Sequence, residues 1–423
     1  MRIPHTNVPY FLQYEVSYVC QAKCFFCYNP TRKAVTPPIE KIHKIVDSIK
    51  EAEVPNVQLI GGEVTLLQQL NEIIDSLSEV SGVTIVTNGI KKVNLSSNLL
   101  GMFISLHGSN SEIHEKQTTT PGTYEKICSH IREYVLDGID VSADVLLSSI
   151  NYSNIYNIIA KAYDLGMQRV YINRFEPGGI GSSSTEKLMP NLKQFKEALT
   201  QIIQARKDFG MPVELGVSMP LCADERLMQE ELAFNCGAGQ WFGAINPDGD
   251  LRICNQSIAP IGNVIRDSIV KLWNSDSNKY LEAYRNLIWV EEPCNNCPVL
   301  DLCVGGCRID ATCNDSKVAQ IDYYIKNLGI KPDFESLKIA KERYLTNKNV
   351  IRNNELKKQV KINPHMRLLE NSNGNFIVNQ IVGVAKISPE THSIVREIQL
   401  DNRKIDQLTQ PSKMMLQKIG VLI

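Results

Sequence analysis

The chain has 423 residues, with 45 Lys and Arg against 46 Asp and Glu, and its formal net charge of -1 gives no electrostatic case for nucleic acid as partner. At 43% hydrophobic and 22% charged it is a globular composition, long enough for two or three domains with sizeable cores. No apolar run is long enough to read as a membrane span.

The N-terminus, "MRIPHTNVPYFLQYEV", lacks the basic start and unbroken apolar core of a signal peptide, which predicts a cytoplasmic chain. Residues 11 to 175 then alternate between strand-like and helix-like segments. "FLQYEVSYV" (11–19), "NVQLIGGE" (56–63), "VTIVTNG" (83–89), "MFISLHG" (102–108), "VSADVLLSSI" (141–150) and "RVYINRF" (169–175) are rich in Val, Ile, Leu and aromatics. "IEKIHKIVDSIKEAE" and "TYEKICSHIREYVLDG" between them repeat apolar residues at three and four, as does "SNIYNIIAKAYDLG", and Gly138 and Gly166 are placed as C′ residues. Strand then helix, repeated six times, predicts a parallel sheet that right-handed crossovers curl into a barrel or part of one. Chemistry in such barrels gathers at the C-terminal strand ends. Those ends carry Cys20 to Cys27, Gly61-Gly62-Glu63, Thr87-Asn88-Gly89, Ser105 with His107 and Gly108, Asn151, and Arg174 with Glu176 before a flexible loop, "PGGIGSSS". Each alone reads as a turn; six on one rim point to a site.

The first of them is the most informative. "CQAKCFFC" places Cys20, Cys24 and Cys27 on one short loop. Twelve cysteines in a large chain of a reducing compartment point to metal ligands rather than a disulfide framework. A structural zinc site wants four ligands, whereas three thiolates on a [4Fe-4S] cluster leave one iron open, and an open metal position serves catalysis. This region resembles the radical S-adenosylmethionine enzymes, whose signature is CxxxCxxC after the first strand of a partial (β/α)6 barrel. The resemblance implies that the open iron chelates the amino and carboxylate groups of S-adenosylmethionine. The cluster then donates an electron, and a 5′-deoxyadenosyl radical abstracts hydrogen from substrate. It carries over to Gly61, Gly62 and Glu63 as the methionine-amino site, and to Tyr28 as an aromatic near the adenine. Asn88, on the same rim, is a further candidate for binding the cofactor. Ser105, in "SLHG" where "SLDG" is common, is implied for the cofactor carboxylate or ribose, and Lys126 for the carboxylate. His107, His114 and Lys126 read equally well as solvated or hydrogen-bonded surface residues.

"CGAGQWFGAINPDGDLRIC" spans Cys236 to Cys254, and its "NPDG" turn between "WFGAI" and "DLRIC" predicts a hairpin that brings the two cysteines together. "CNNCPVLDLCVGGC" follows with Cys294, Cys297, Cys303 and Cys307, and then Cys313. On spacing alone this group fits a zinc ribbon as well as an iron–sulfur site. The whole pattern, with Gly249 at the expected glycine, resembles the seven-cysteine SPASM domain. That implies two auxiliary [4Fe-4S] clusters and three in all. Cys236, Cys254 and Cys307 would hold the first, with Cys222 as candidate fourth ligand; Cys294, Cys297, Cys303 and Cys313 would hold the second. Cys128, within a helical pattern, reads as a buried apolar thiol.

After Cys313 the lysine-rich "FESLKIAKERYLTNKN" and "NNELKKQVK" read as connecting helices, and Asn363-Pro364 marks a break. "MRLLENSNGNFIVNQIVGVAKI" predicts two or three short strands around an "NSNG" turn. In "SPETHSIVREI", Ser388 as N-cap and Pro389 at N1 start a helix. This segment resembles the winged-helix peptide chaperone of pyrroloquinoline quinone biosynthesis and related recognition elements, which bind a leader peptide as an added strand. Strands 366–370 and 375–379 are both candidates for the exposed edge. A structural cap is the alternative.

The expected architecture is therefore α/β. A partial barrel occupies 1–215, a cysteine-rich SPASM domain 216–320, a helical connector 321–363, and a small winged-helix-like domain 364–423. The expected function is a radical peptide maturase that installs a thioether or carbon–carbon cross-link in a ribosomally made precursor. The resemblance implies an electron donor such as flavodoxin or ferredoxin. The alternatives are a sulfatase-maturing formylglycine-generating enzyme and a cofactor- or haem-pathway enzyme acting on a small molecule.

Overall fold

The computed structural model describes residues 5–31, 34–232, 235–257, 259–288, 290–307, 322, 324–325, 328–350, 362–379 and 383–422. The six expected strands form as β1 (Phe11–Ser17), β2 (Asn56–Gly61), β3 (Gly82–Thr87), β4 (Gly101–Ser105), β5 (Val141–Leu147) and β6 (Arg169–Arg174), parallel and in sequential order. A short seventh strand, β7 (Val213–Leu215), extends this run beyond β6. Between strands lie α1 (Ile39–Glu51), α2 (Leu70–Ser78), α3 (Ser111–Thr118), α4 (Tyr124–Leu136) and α5 (Ile155–Asp164). The strict strand–helix alternation fails once, because residues 88–100 link β3 to β4 without a helix. Gly138 and Gly166 follow α4 and α5 with φ of 78° and 79°, the left-handed geometry expected of C′ glycines.

Alternation along the strands separates two faces. Leu12, Tyr14, Val57, Leu59, Met102, Ile104, Val170 and Ile172 are buried in one core with Ile42, Ile45, Ile73 and Ile158 of the covering helices. Gln13, Phe103, Ser105, Asp144, Tyr171 and Asn173 fall on the other, concave face and stay partly exposed. That face is half-buried and mixes polar with aromatic side chains, where the helix-covered face is dry.

The cysteine-rich segment joins the same sheet. β8 (Phe242–Ile245) pairs parallel with β1, and β9 (Asp250–Arg252) and β10 (Pro260–Asn263) continue antiparallel from it. Ten strands thus run β10-β9-β8-β1-β2-β3-β4-β5-β6-β7. The expected hairpin forms, with Gly249 at φ 84° in its turn and its amide donating to the Asn246 carbonyl at 3.0 Å. From β9, Arg252 reaches inward to the fully buried Glu15 of β1, while also donating to the Asn255 and Ser257 carbonyls, each at 3.0 Å. Burial pushes the Glu15 carboxyl up, and the Arg252 guanidinium pulls against it. A buried pair of this kind costs several kcal/mol when one partner is removed, so it fixes the hairpin's register on the barrel.

The C-terminal segment forms β11 (Met366–Asn371), β12 (Gly374–Asn379) and β13 (Gly383–Ile387), an antiparallel sheet followed by helices Pro389–Leu400 and Gln410–Lys418. The Ser388 hydroxyl caps the first helix by accepting from the Thr391 amide. One face of this sheet, with Met366 and Ile377, packs on Val395, Ile398 and Leu416 of the helices. The other, with Leu369, Phe376 and Val378, packs on Leu100 and Tyr10. Asn371 and Asn373 donate to the Glu53 carbonyl, and Arg367 donates to the Ser81 carbonyl at 3.0 Å. Glu53, Ser81 and Leu100 precede β2, β3 and β4, so the module covers the N-terminal end of the barrel, opposite Cys20–Cys27. Because β12 lies between β11 and β13, the 375–379 strand is not an edge; its two flanks are already paired. The connecting helix forms over Phe334–Val350, and "NNELKKQVK" lies outside the described residues.

Candidate functional site

The polar strand ends expected to converge do so around Glu63. Its side chain is 3% exposed. One carboxylate oxygen accepts from the Thr65 amide (3.1 Å), the Thr65 hydroxyl (2.7 Å) and the Thr87 hydroxyl (2.5 Å); the other accepts from the Asn88 amide (2.8 Å). Burial nevertheless pushes its pKa up, the donors only partly offsetting it. Among the described residues no Lys, Arg or His forms an ion pair with Glu63. A buried carboxylate with hydrogen-bond donors and no cation is suited to receive one. Asn88 links this group to the cysteines, its side-chain amide donating to the Cys20 sulfur at 3.6 Å.

Gly61 and Gly62 are required by close backbone approach. A Cβ on Gly61 would lie 2.2 Å from the Ser17 carbonyl oxygen, and one on Gly62 would lie 2.2 Å from that of Val19. The Gly62 and Glu63 amides donate to those same carbonyls at 2.6 and 2.8 Å. The two glycines thus hold the exit of β1, and so the cysteine loop, against Glu63.

The far side of the loop is braced by "PGGIGSSS". Sequence reading treats that segment as flexible, but it is a docked 3-10 turn, Gly179–Ser184. Ile180 and Gly181 donate to the Asn29 and Cys27 carbonyls at 3.1 and 2.8 Å. Gly179 has φ 52°, and a Cβ there would lie 1.9 Å from the Tyr28 carbonyl oxygen. Gly179→Ala should therefore displace the cysteine loop and lose about four irons. Iron analysis of the reconstituted protein checks this, and retention of wild-type iron with unchanged activity would show that the brace is dispensable.

Tyr28 is half-buried, and its hydroxyl faces Glu15, Tyr18 and Asn255 rather than standing open on the rim. Phe26, which sequence reading did not single out, meets His107 edge-on at 5.0 Å between ring centroids. His107 and His114 are buried, at 3% and 1% exposure, so the surface alternative does not hold for them. The Nδ1 of His107 accepts from the Leu146 amide at 3.0 Å and that of His114 from the His107 amide at 3.2 Å. Burial lowers both pKa values, that of His114 to about 4, so they are neutral supports behind the loop. Ser105 ends β4 on the half-buried face of the sheet, in register with Asp144. Asp144 accepts from Asn173 at 2.6 Å, and burial pushes its pKa up to about 6. Lys126 stands exposed in the first turn of α4, outside the network joining Glu63, Thr87 and Asn88.

Arg174 and Glu176 connect the rim to the second cysteine field. Arg174 donates to both Asp322 oxygens, at 2.9 and 2.5 Å, and pairs with Glu176 at 2.9 Å. Asp322 in turn accepts from the Cys307 amide at 2.7 Å. Cys236 and Cys254 are neighbours, as the hairpin implies, with Glu176 close to Cys254. Cys222 is placed differently from its expected role as fourth partner of that pair. It lines a pocket with Cys294, Cys297 and Cys303. Cys128 is fully buried in the barrel core, as expected of an apolar thiol, and Cys313 lies outside the described residues. Three thiols beside an uncompensated buried carboxylate fit a cluster that binds an amino-acid-bearing cofactor.

Comparison with known proteins agrees. The radical SAM superfamily profile matches residues 14–168, and the SPASM iron–sulfur cluster-binding domain matches residues 236–298. The chain is 26% identical to the antilisterial bacteriocin subtilosin biosynthesis protein AlbA of Bacillus subtilis, over 76% of this chain and 70% of that one. It is 22% identical to a PqqA peptide cyclase of Bradyrhizobium diazoefficiens, over 75% and 86%. Its fold is shared with Streptococcus suis SuiB, solved with precursor peptide SuiA, at TM-score 0.61 and 16% identity over 76% and 77% of the two chains. No helix among the described residues is long and apolar enough to cross a membrane. The chain is a radical S-adenosylmethionine enzyme with a [4Fe-4S] cluster site in its barrel and an SPASM domain after it.

Proposed function

We propose that this enzyme matures a ribosomally made precursor peptide, installing a thioether or carbon–carbon cross-link. The observation that carries the reading is the conjunction of the Glu63-centred cofactor site with the half-buried polar and aromatic face of the sheet, in a chain similar to a bacteriocin biosynthesis protein and to PqqA peptide cyclases. When bound, the cluster and S-adenosylmethionine supply an electron and a hydrogen-abstracting group. This chain's residues do the rest. Cys20, Cys24 and Cys27 hold the cluster. Glu63 receives the methionine ammonium, and Gly61 and Gly62 let the backbone close on it. Asn88 and Ser105 present polar groups to the remainder of the cofactor, with Tyr28 at the loop's inner side and Lys126 at the outer rim. The second cysteine field holds two auxiliary clusters, for about twelve irons in all. A small flavodoxin- or ferredoxin-like protein delivers electrons. The domain limits 1–215, 216–320, 321–363 and 364–423 follow the same reading, although β8–β10 share the barrel's sheet. Neither alternative, sulfatase maturation or small-molecule chemistry, requires the C-terminal module.

That module is proposed as the leader-binding element, with β13 as the docking edge. It sits at the opposite barrel end from Cys20, so strands of six or seven residues put the two sites about 20 Å apart or more. A peptide joining them needs a spacer of at least roughly six extended residues. Strand addition supplies main-chain hydrogen bonds, and amide donors along an edge alternate outward, so either Val384→Pro or Ala385→Pro removes one. The experiment is peptide binding by these two variants. At least one should bind full-length precursor about tenfold more weakly, while S-adenosylmethionine cleavage without peptide is unchanged. Unchanged affinity in both would assign the module to a capping role.

A further inference from the structure

We propose that Asp144 anchors a subsite on the inner face of the sheet for a cationic side chain of the substrate, the ammonium of a lysine or the guanidinium of an arginine, with Ser105, Phe103 and Tyr171 around it. The inference deepens the peptide-maturase reading and rests on it for the source of the cation.

The register puts these residues together. Asp144 of β5 pairs with Ser105 of β4 on one side and with Tyr171 of β6 on the other. Phe103 stands two residues before Ser105 on the same face, and its ring meets that of Tyr171 edge-on at 5.3 Å between centroids. Asn173, two residues beyond Tyr171, donates its side-chain amide to one Asp144 oxygen at 2.6 Å. All five side chains are partly exposed, whereas the alternate residues Ile104, Ala143, Val145 and Ile172 are buried, so the five form one accessible strip across three strands. Ile104, beside Ser105, pairs with Thr87, whose hydroxyl donates to Glu63. Two strand spacings, about 10 Å, therefore separate Asp144 from the cofactor site.

The charges on this strip do not balance within the chain. Arg169, two residues before Tyr171 on β6, pairs with Glu214 of β7 at 3.5 Å, and the Tyr171 hydroxyl joins that pair. Among the described residues no Lys, Arg or His pairs with Asp144; burial and the Asn173 amide are what act on its carboxyl. The Asn173 contact is itself built in. A Cβ on Gly216 would lie 1.9 Å from the Asn173 Oδ1, so the glycine leaves the room in which this amide turns to Asp144. Held by one neutral donor, the carboxylate keeps its charge in a half-buried place, and a cation brought to it offsets that cost. The aromatic rings beside it favour the same occupant, because an ammonium or guanidinium over a ring face is attracted by the ring quadrupole. A neutral or anionic side chain would gain from neither.

Defined probes test the subsite in the full-length reconstituted enzyme, with and without S-adenosylmethionine. n-Butylammonium and n-propylguanidinium are titrated beside n-butanol, a neutral counterpart, and binding is followed by NMR. At about pH 8 the cations should bind roughly tenfold more tightly than the alcohol. Asp144→Asn, which keeps the shape and an acceptor for Asn173, should erase that preference. Phe103→Leu, which leaves the carboxylate in place, should reduce it about threefold. Burial pushes the Asp144 carboxyl up to about 6, so the preference should be full above that pH and lost as the pH falls through it and the carboxyl protonates. The charged groups sharing the strip, Arg169 and Glu214, are already paired with each other. Iron content and circular dichroism establish that each variant has folded, and if Asp144→Asn does not fold, the wild-type pH dependence and Phe103→Leu decide. Equal binding of cation and alcohol, a preference that survives Asp144→Asn, or one that does not change with pH overturns the inference. Displacement of the probes by S-adenosylmethionine overturns it too, because the carboxylate would then serve the cofactor. The probes need no precursor, so a failure of the peptide-maturase reading, seen as a precursor left unmodified by the wild-type enzyme, is read separately from a failure here.

Discussion

Replacing Cys20, Cys24 and Cys27 together with alanine should abolish production of 5′-deoxyadenosine while leaving about eight of roughly twelve irons bound. The loop they occupy is the one cysteine group among the described residues that stands beside Glu63, through the contact of Asn88 with the Cys20 sulfur. The second field is held by its own turns and by the Arg174–Asp322 pair. Iron analysis and product chromatography on one preparation check both halves of the expectation. Continued cleavage under reduction would place the cofactor elsewhere in the chain.

Glu63→Gln should weaken S-adenosylmethionine binding by about 2–3 kcal/mol, or roughly 30- to 150-fold. The substitution keeps the shape and one acceptor, which can still serve Thr65 and Thr87. Its amide nitrogen would, however, face the Asn88 amide, donor against donor, where the carboxylate now accepts at 2.8 Å. It also removes the one negative charge positioned for an ammonium. Burial already raises the Glu63 pKa, so a cation at this position gains by holding the carboxylate ionised. Equilibrium binding and cleavage rates should fall together, and an unchanged dissociation constant would exclude Glu63 from the amino site.

Much of this site is legible in sequence because it is built from local signals. The CxxxCxxC spacing, the "GGE" run and the "NPDG" turn each fix a short stretch of backbone that the fold uses unchanged. The same holds for Gly138, Gly166 and Ser388, whose roles at helix ends depend only on near neighbours. What sequence does not show is set by distant partners. β10 begins with Pro260 and contains Gly262, both weak strand signals, and it forms because β9 offers an edge. β7 is three residues long and has no periodicity to detect. "PGGIGSSS" has the composition of a flexible loop, yet its glycines are demanded by the Tyr28 and Phe26 carbonyls across the barrel mouth. His107 reads as a rim residue, but Phe26 and Leu146 enclose it. Cys222 looks like a partner of Cys236 when counted along the chain. Only the turn after β7 carries it to Cys303, because contacts at that separation leave no trace in spacing.

The central claim is that this barrel directs hydrogen abstraction from a peptide. It is tested most directly by supplying the reconstituted enzyme with a precursor peptide deuterated at its side-chain and α carbons. The expected result is deuterium in the recovered 5′-deoxyadenosine and a peptide mass lowered by the hydrogens removed at each cross-link. Unlabelled 5′-deoxyadenosine, formed at the same rate with and without peptide and beside an unmodified precursor, would contradict the account.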